Sequence, residues 1–332
     1  MVARIVLLLL ISFLPLFCLN HHCSDREKII SHPHENGKAL RRWAYLLGTA
    51  PSSERYLNRA LTGFDYVVVT GFMFTGDGRL HRTIPVHKVQ FLRDLARHRR
   101  ITLYPLVSLK SVHSGISLLT NNRRRAGAIE NLEKLVTRYQ FGGIHIDFEY
   151  LPPRYIVHLV TFLKELRSAM PGITLSMALF PQVEFPARYS GFHNIEVIGP
   201  HLDEIVLMCY DYHRPGTEAG PVTDIQWAER NILKVLRYLK PSQIWLGVPA
   251  YGYAWDERNR TTVITARRGV RLAQRYGGTR HKSGTLYFIW PRNGNARVYL
   301  SDATTRQRME GLARRYSLKG TALWRLGFEE RE

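Results

Sequence analysis

Cysteine is scarce in this chain: three among 332 residues, Cys18, Cys23 and Cys209. So few thiols, two of them close to the N-terminus, exclude a disulfide framework. Cys209 falls in an apolar run and reads as a small buried hydrophobe. Acidic residues are the second shortage, with 27 Asp and Glu against 47 Lys and Arg and a net charge of +20. The bases come as short scattered clusters (Arg41-Arg42, Arg123 to Arg125, Arg267-Arg268, Arg314-Arg315) and not as one tail. That surface attracts polyanions through salt-sensitive electrostatics and carries no information about the fold. Metal-ligand spacing is missing as well. His21-His22 and His32-His34 have no acids or thiols at ligand distance along the chain, so they read as leader and linker and no metal site is expected there. Internal repeats and low-complexity segments are absent, and 45% hydrophobic with 22% charged residues excludes wholesale disorder.

What is present begins with a leader. Arg4 precedes an apolar run from Ile5 to Leu19, interrupted by Ser12 and Pro15 and followed by a polar stretch. The run is short for a membrane span and has the layout of a secretory signal. No small-x-small pattern precedes Asn20, so residues 1–22 are expected to be a signal peptide or an N-terminal anchor, with a linker over 23–38. An exported protein of the cell envelope, periplasm or exterior follows. It is expected to act as a monomer, to touch membrane only through an uncleaved leader, and to bind no nucleic acid.

From about residue 39 the chain alternates apolar runs with helix-period segments, the pattern of βα units. Eight runs read as strands: 43–47, 66–70, 102–108, 143–147, 173–179, 204–210, 244–248 and 321–324. Eight is the number that closes a (β/α)8 TIM barrel, expected here over 39–332. Between the seventh and eighth strands lies a long segment, about 252–318. In it Pro-Arg-Asn-Gly-Asn separates two β-rich runs, which predicts a β-hairpin overhanging the strand C-terminal face. Tyr287, Trp290 and Tyr299 are then either a sugar-stacking wall or hairpin residues packed on the rim.

The most informative stretch is FGGIHIDFEY, from Phe141 to Tyr150. Strand alternation puts Ile144, Ile146 and Phe148 on one face and His145, Asp147 and Glu149 on the other. Two acids on the inner face suit a site at the mouth of a barrel, where strands end in functional groups. The sixth strand, DEIVLMCYDYH, puts Met208 and Tyr210 on one face with Asp211 at its end, and the eighth finishes with Trp324 near the lumen. Acids, a tyrosine and a tryptophan at strand ends suit a sugar, whose apolar face stacks and whose glycosidic oxygen accepts a proton.

GGIHIDFEY, MCYDYH, LGVPAYGYAW and ALWRLG, in this order on these strands, resemble the family 18 glycoside hydrolases. From YFIWPRNGNARVYLSD onward the chain is similar to the branch containing spore-cortex and peptidoglycan N-acetylglucosaminidases. The likeness covers roughly Trp43 to Glu330. It implies a retaining, substrate-assisted hydrolysis of β-linked N-acetylglucosamine polymers, peptidoglycan or chitin-like. In that scheme the sugar's 2-acetamido oxygen attacks C1 and forms an oxazolinium ion. Asp147 and Glu149, about 7 Å apart along one strand, cannot easily flank a scissile bond as ordinary carboxylate pairs do. By the resemblance Glu149 is general acid and then base, and Asp147 holds the acetamido N–H and keeps Glu149 protonated. Tyr210 bonds the acetamido oxygen, Asp211 supports the ring, and Trp324 floors the subsite. Met208, Tyr212, Tyr251 and His145 complete the substrate-binding set.

The chain departs from the family pattern at two acidic positions, which hold Gly142 and His145. His145 points inward behind Asp147 and is expected either to hydrogen-bond Asp147 or, if protonated, to lower the pKa of the pair. On the third strand Ser108-Leu109-Lys110 replaces a small Ser-x-Gly-Gly signature, and Lys110 either meets an acidic peptide stem or is solvated. A non-catalytic carbohydrate-binding member of the same fold is the alternative; retention of Glu149 argues for the enzyme.

Overall fold

The computed structural model describes residues 40–50, 53–291 and 294–330; the leader and linker expected over 1–38 lie outside the described residues. Runs of β-branched and aromatic residues form fourteen strands there. The first eight are β1 (Arg41–Leu46), β2 (Tyr66–Phe74), β3 (Leu80–Arg82), β4 (Thr102–Leu109), β5 (Gly143–Asp147), β6 (Thr174–Leu179), β7 (Glu204–Leu207) and β8 (Ile244–Pro249). Then come β9 (Tyr251–Trp255), β10 (Thr261–Thr265), β11 (Thr279–Arg280), β12 (Leu286–Trp290), β13 (Ala296–Leu300) and β14 (Gly320–Trp324). Strands β1, β2, β4, β5, β6, β7, β8 and β14 are joined in parallel, and β1 pairs with both β14 and β2, which closes the eight-stranded barrel. Strand β3 adds antiparallel to the far end of β2.

Alternation sorts the barrel residues into two cores. Ala44, Leu46, Val67, Val69, Ile144, Ile146, Leu175, Met177, Ile205 and Leu207 face outward into the helix layer. Each fully buried aliphatic side chain there contributes about 1.5–3 kcal/mol relative to exposure, so this layer holds the helices on. Trp43, Tyr45, Tyr66, Val68, Tyr104, Leu106, Val206, Trp245 and Ala322 fill the lumen. Trp43 stacks on Tyr66 (5.7 Å between centroids, 9°) and meets Tyr104, His145 and Trp245 edge-on. The lumen is therefore a packed aromatic column and not a pore.

Between β8 and β14 the chain forms more than the expected hairpin. Strands β10-β9-β13-β12-β11 make a five-stranded antiparallel sheet, with helix Ala266–Tyr276 on one face. Helix Ala303–Arg315, which begins at an Asp302 cap, packs on β8 and β14 and so belongs to the barrel. The hairpin is β12 and β13; Arg292 and Asn293 of its turn lie outside the described residues. Among the described residues no helix is long and apolar enough to cross a membrane.

Candidate active site

The C-terminal ends of β5, β6, β7, β8 and β14 converge on one group of side chains. Strand β5 stops at Asp147, and Phe148 and Glu149 follow before Tyr150 takes a left-handed backbone (φ 62°). Strand β7 stops at Leu207, earlier than the expected Tyr210, because the backbone folds back on itself. Cys209 N–H donates to Leu207 C=O (2.9 Å), Tyr210 N–H donates to Met208 C=O (2.8 Å), and Asp211 is left-handed (φ 58°). The bend puts Met208 and Tyr210 in one cluster with Ala178 and Phe180, against Trp324. Tyr210 has room because its neighbour on β8 is Gly247, where a Cβ would lie 2.9 Å from the Tyr210 ring. The Trp324 ring rests edge-on against Tyr45 (5.1 Å) and links the lumen column to the Tyr251 and Tyr253 cluster.

Three carboxyls meet at this mouth without a basic ion-pair partner among the described residues. Burial raises Glu149 well above the usual carboxylate range, and the charge of Asp147, a hydrogen bond to Asp147 and the charge of Asp211 raise it further. Burial raises Asp147 too, while the hydrogen bond from Glu149 holds it down. Burial and the neighbouring carboxyls thus favour the protonated form of Glu149 beside Asp147. The other oxygen of Asp147, Oδ1, is buried with no hydrogen-bond partner. Asp211 is raised by burial and lowered by its partners: its Oδ1 accepts from Tyr251 (2.5 Å) and Tyr253 (2.9 Å). Burial and the surrounding acids hold Tyr210 and Tyr45 as neutral phenols.

His145 does not do what its position suggested. Its Nε2 lies 2.8 Å from the Tyr45 hydroxyl and its Nδ1 2.9 Å from the Ser176 hydroxyl, so both ring nitrogens are committed and neither reaches Asp147. Burial lowers its pKa to about 3, and the ring is neutral. It is a buried crosslink of β1, β5 and β6 beneath the site. Tyr212 is not brought to the cluster either. Its ring stacks on Trp227 (4.5 Å, 21°) and its hydroxyl donates to Glu184. Of the expected wall, Tyr299 and Tyr287 pair (4.9 Å) on the sheet face that carries Tyr253 and Trp255. Trp290 lies on the opposite face, in the insertion's own core under Arg268. Residues 287 and 290 differ by an odd number, and a strand sends them to opposite faces. Lys110 is exposed.

Several participants were not among the residues singled out from the sequence. Tyr45 and Tyr253 were within reach of parity, two residues from Trp43 and Tyr251. Tyr150, hydrogen-bonded to Glu149, comes to the mouth only through its left-handed turn. His193, fully buried, accepts from Phe180 N–H (2.9 Å) and donates through Nε2 to Phe148 C=O (2.8 Å), tying the ends of β5 and β6 together. Among the described residues no cluster of His, Cys, Asp or Glu is arranged to hold a metal ion.

A barrel whose strand ends gather a buried glutamic acid, two further carboxyls, tyrosine hydroxyls and a tryptophan has the layout of a carbohydrate-processing site. The family model for glycosyl hydrolases family 18 matches residues 48–329, and the chain belongs to that family. The YdhD glycosylase of Bacillus subtilis is 25% identical over 246 residues, which cover 69% of this chain and 58% of that protein. The cortical fragment-lytic enzyme of the same organism is 24% identical over 300 residues, 83% of this chain and 68% of that one. The chain thus spans little more than half of the first of these relatives. A chitinase from Chromobacterium violaceum shares the fold, with a TM-score of 0.79 at 22% identity over 88% of this chain and 96% of that one.

Proposed function

We propose that this protein hydrolyses β-linked N-acetylglucosamine in peptidoglycan or a chitin-like polymer, with retention and with the substrate's own acetamido group as nucleophile. The observation that carries this reading is Glu149 buried at the strand ends beside two further carboxyls, an arrangement that favours its protonated form, next to an Asp147 that has one buried oxygen unpartnered. A carboxylic acid kept protonated near neutral pH is what a glycosidic oxygen needs as its donor. No second carboxylate stands ready as a separate nucleophile, since Asp147 is engaged by Glu149 and Asp211 by two tyrosines. Once the Asp147 side chain turns toward the mouth, an acetamido N–H is a donor of the right kind for its unpartnered oxygen. Charge on Asp147 then stabilises the cationic oxazolinium ring, and Tyr210 donates to the acetamido oxygen as it turns toward C1. Glu149, once deprotonated, takes the proton of the attacking water. Trp324 supplies the apolar floor. The leader pattern supports export, and the net charge of +20 supports attraction to anionic envelope polymer.

The test is mass spectrometry of sugars released from purified peptidoglycan and from chitin oligomers by wild type and Glu149→Gln. N-acetylglucosamine reducing ends that appear with wild type and vanish with the variant are expected. Equal binding by both proteins with no release would show a lectin.

A further inference from the structure

Arg214 stands three residues beyond Asp211 at the same mouth, half-buried, and the catalytic scheme leaves it unused. Its guanidinium lies 4.8 Å from the centre of the Phe185 ring and 5.6 Å from that of Tyr189. Its Nη1 donates to the backbone carbonyl of Asp211 at 3.1 Å, and the group also hydrogen-bonds Tyr189. No carboxylate among the described residues forms an ion pair with it; its charge helps hold Asp211 down, but the Asp211 Oδ1 is taken up by Tyr251 and Tyr253. A second guanidinium, Arg188, covers Tyr189 at 4.7 Å and is exposed. A guanidinium has five N–H donors in a rigid planar fork suited to a carboxylate. The half-buried head of Arg214 lies over two aromatic rings, which hold it in place, and it commits part of its donor set to the Asp211 carbonyl and Tyr189. Tyr150, half-exposed and packed at 5.3 Å against both Phe180 and Tyr189, extends an aromatic surface from Glu149 toward this fork.

We propose that Arg214 is a specificity-determining residue that receives a carboxylate carried by the sugar chain, and that the substrate is therefore an acidic N-acetylated amino-sugar polymer in preference to neutral chitin. This rests on the hydrolase reading for its biological use but not for its test. A neutral polymer offers this guanidinium only hydroxyl and carbonyl oxygens, which accept without charge assistance. A carboxylate at the sugar gains a charge-assisted, forked contact. The carboxylate has two possible sources, the free lactyl ether of a peptide-free glycan and the acidic peptide stem of an intact one.

The experiment compares Arg214→Gln and Arg214→Lys with the parent chain on three ligands: neutral chitooligosaccharide, peptide-free glycan with free lactyl groups, and peptide-bearing glycan. Two readouts are taken, kcat/KM for each and, in the Glu149→Gln background, Kd by calorimetry. We expect the ratio of acidic to neutral ligand to fall about tenfold in Arg214→Gln, and by less in Arg214→Lys, which keeps the charge without the fork. A fall on the peptide-free glycan assigns the lactyl group, and a fall confined to the peptide-bearing glycan assigns the stem. Equal losses on all three ligands in both variants would overturn the proposal and leave Arg214 as a support for Asp211. If wild type cleaves nothing but the binding ratio still falls, the hydrolase reading fails and the Arg214 assignment stands.

Discussion

At the N-terminal end of the barrel Glu204 is buried among Trp245, Tyr66 and Tyr104; at the other end Asp147, Glu149 and Asp211 are gathered among Tyr45, Tyr210, Tyr251 and Tyr253. Glu204 has a cation: Lys319 Nζ bonds its Oε2, the Trp245 indole N–H donates to the same oxygen at 2.9 Å, and the ammonium lies 5.3 Å from the Tyr66 ring. The three acids at the mouth have no ion-pair partner of that kind: Asp147 and Glu149 lean on each other, one Asp147 oxygen is left without a hydrogen bond, and Asp211 is held by two tyrosine hydroxyls with the charge of Arg214 nearby. Glu204 is held in an ion pair that crosslinks β7 to the start of β14. Acids without a cation keep a proton in hand, which costs stability and supplies chemistry. The two ends show one fold using the same residue type for opposite purposes.

The contrast can be broken at either end. Replacing Glu149 with Gln should lower kcat by at least about a thousandfold, as measured by product release. Lys319→Met should leave Glu204 as an uncompensated buried charge and destabilise the fold by about 3–5 kcal/mol in urea melts, with specific activity of the folded fraction preserved. Adding Glu204→Gln to that variant should recover most of the loss. Tyr210→Phe removes a single donor and should reduce kcat about a hundredfold with little change in melting temperature. His145→Asn breaks part of the Tyr45–His145–Ser176 crosslink; a destabilisation of about 2 kcal/mol is expected, with activity per folded molecule reduced less than that of Tyr210→Phe.

The barrel was legible because its strands are contiguous apolar runs that bury both faces, and period and count suffice for that. The acid pair was legible because Asp147 and Glu149 share parity on one strand. What escaped depends on departures from regular geometry or on distant partners. β7 ends three residues early because the backbone at Met208 to Tyr210 bonds to itself. Strands β10 and β11 are short and mostly exposed, so they lack an apolar signature. His145 is read correctly as inward from β5 alone, but its partners Tyr45 and Ser176 are 100 and 31 residues away. Tyr212 shares a motif with Tyr210 yet stacks outward on Trp227, since two residues of a bend need not share a face.

The central claim is that Glu149 holds a proton at pH values where an ordinary carboxylic acid has lost it. A folded-state pKa raised above the unfolded value means that the native state binds more protons, so its contribution to stability is present at low pH and is lost as pH rises. Glutamine cannot ionise and escapes that loss. The decisive measurement is the melting temperature of wild type and Glu149→Gln across pH 4 to 9, pH values within which ordinary carboxylates have already titrated at the low end. A variant whose advantage over wild type widens steadily above the usual carboxylate range is the predicted result. An offset that stays constant from pH 5 upward would contradict it, because Glu149 would then ionise as an ordinary carboxylate.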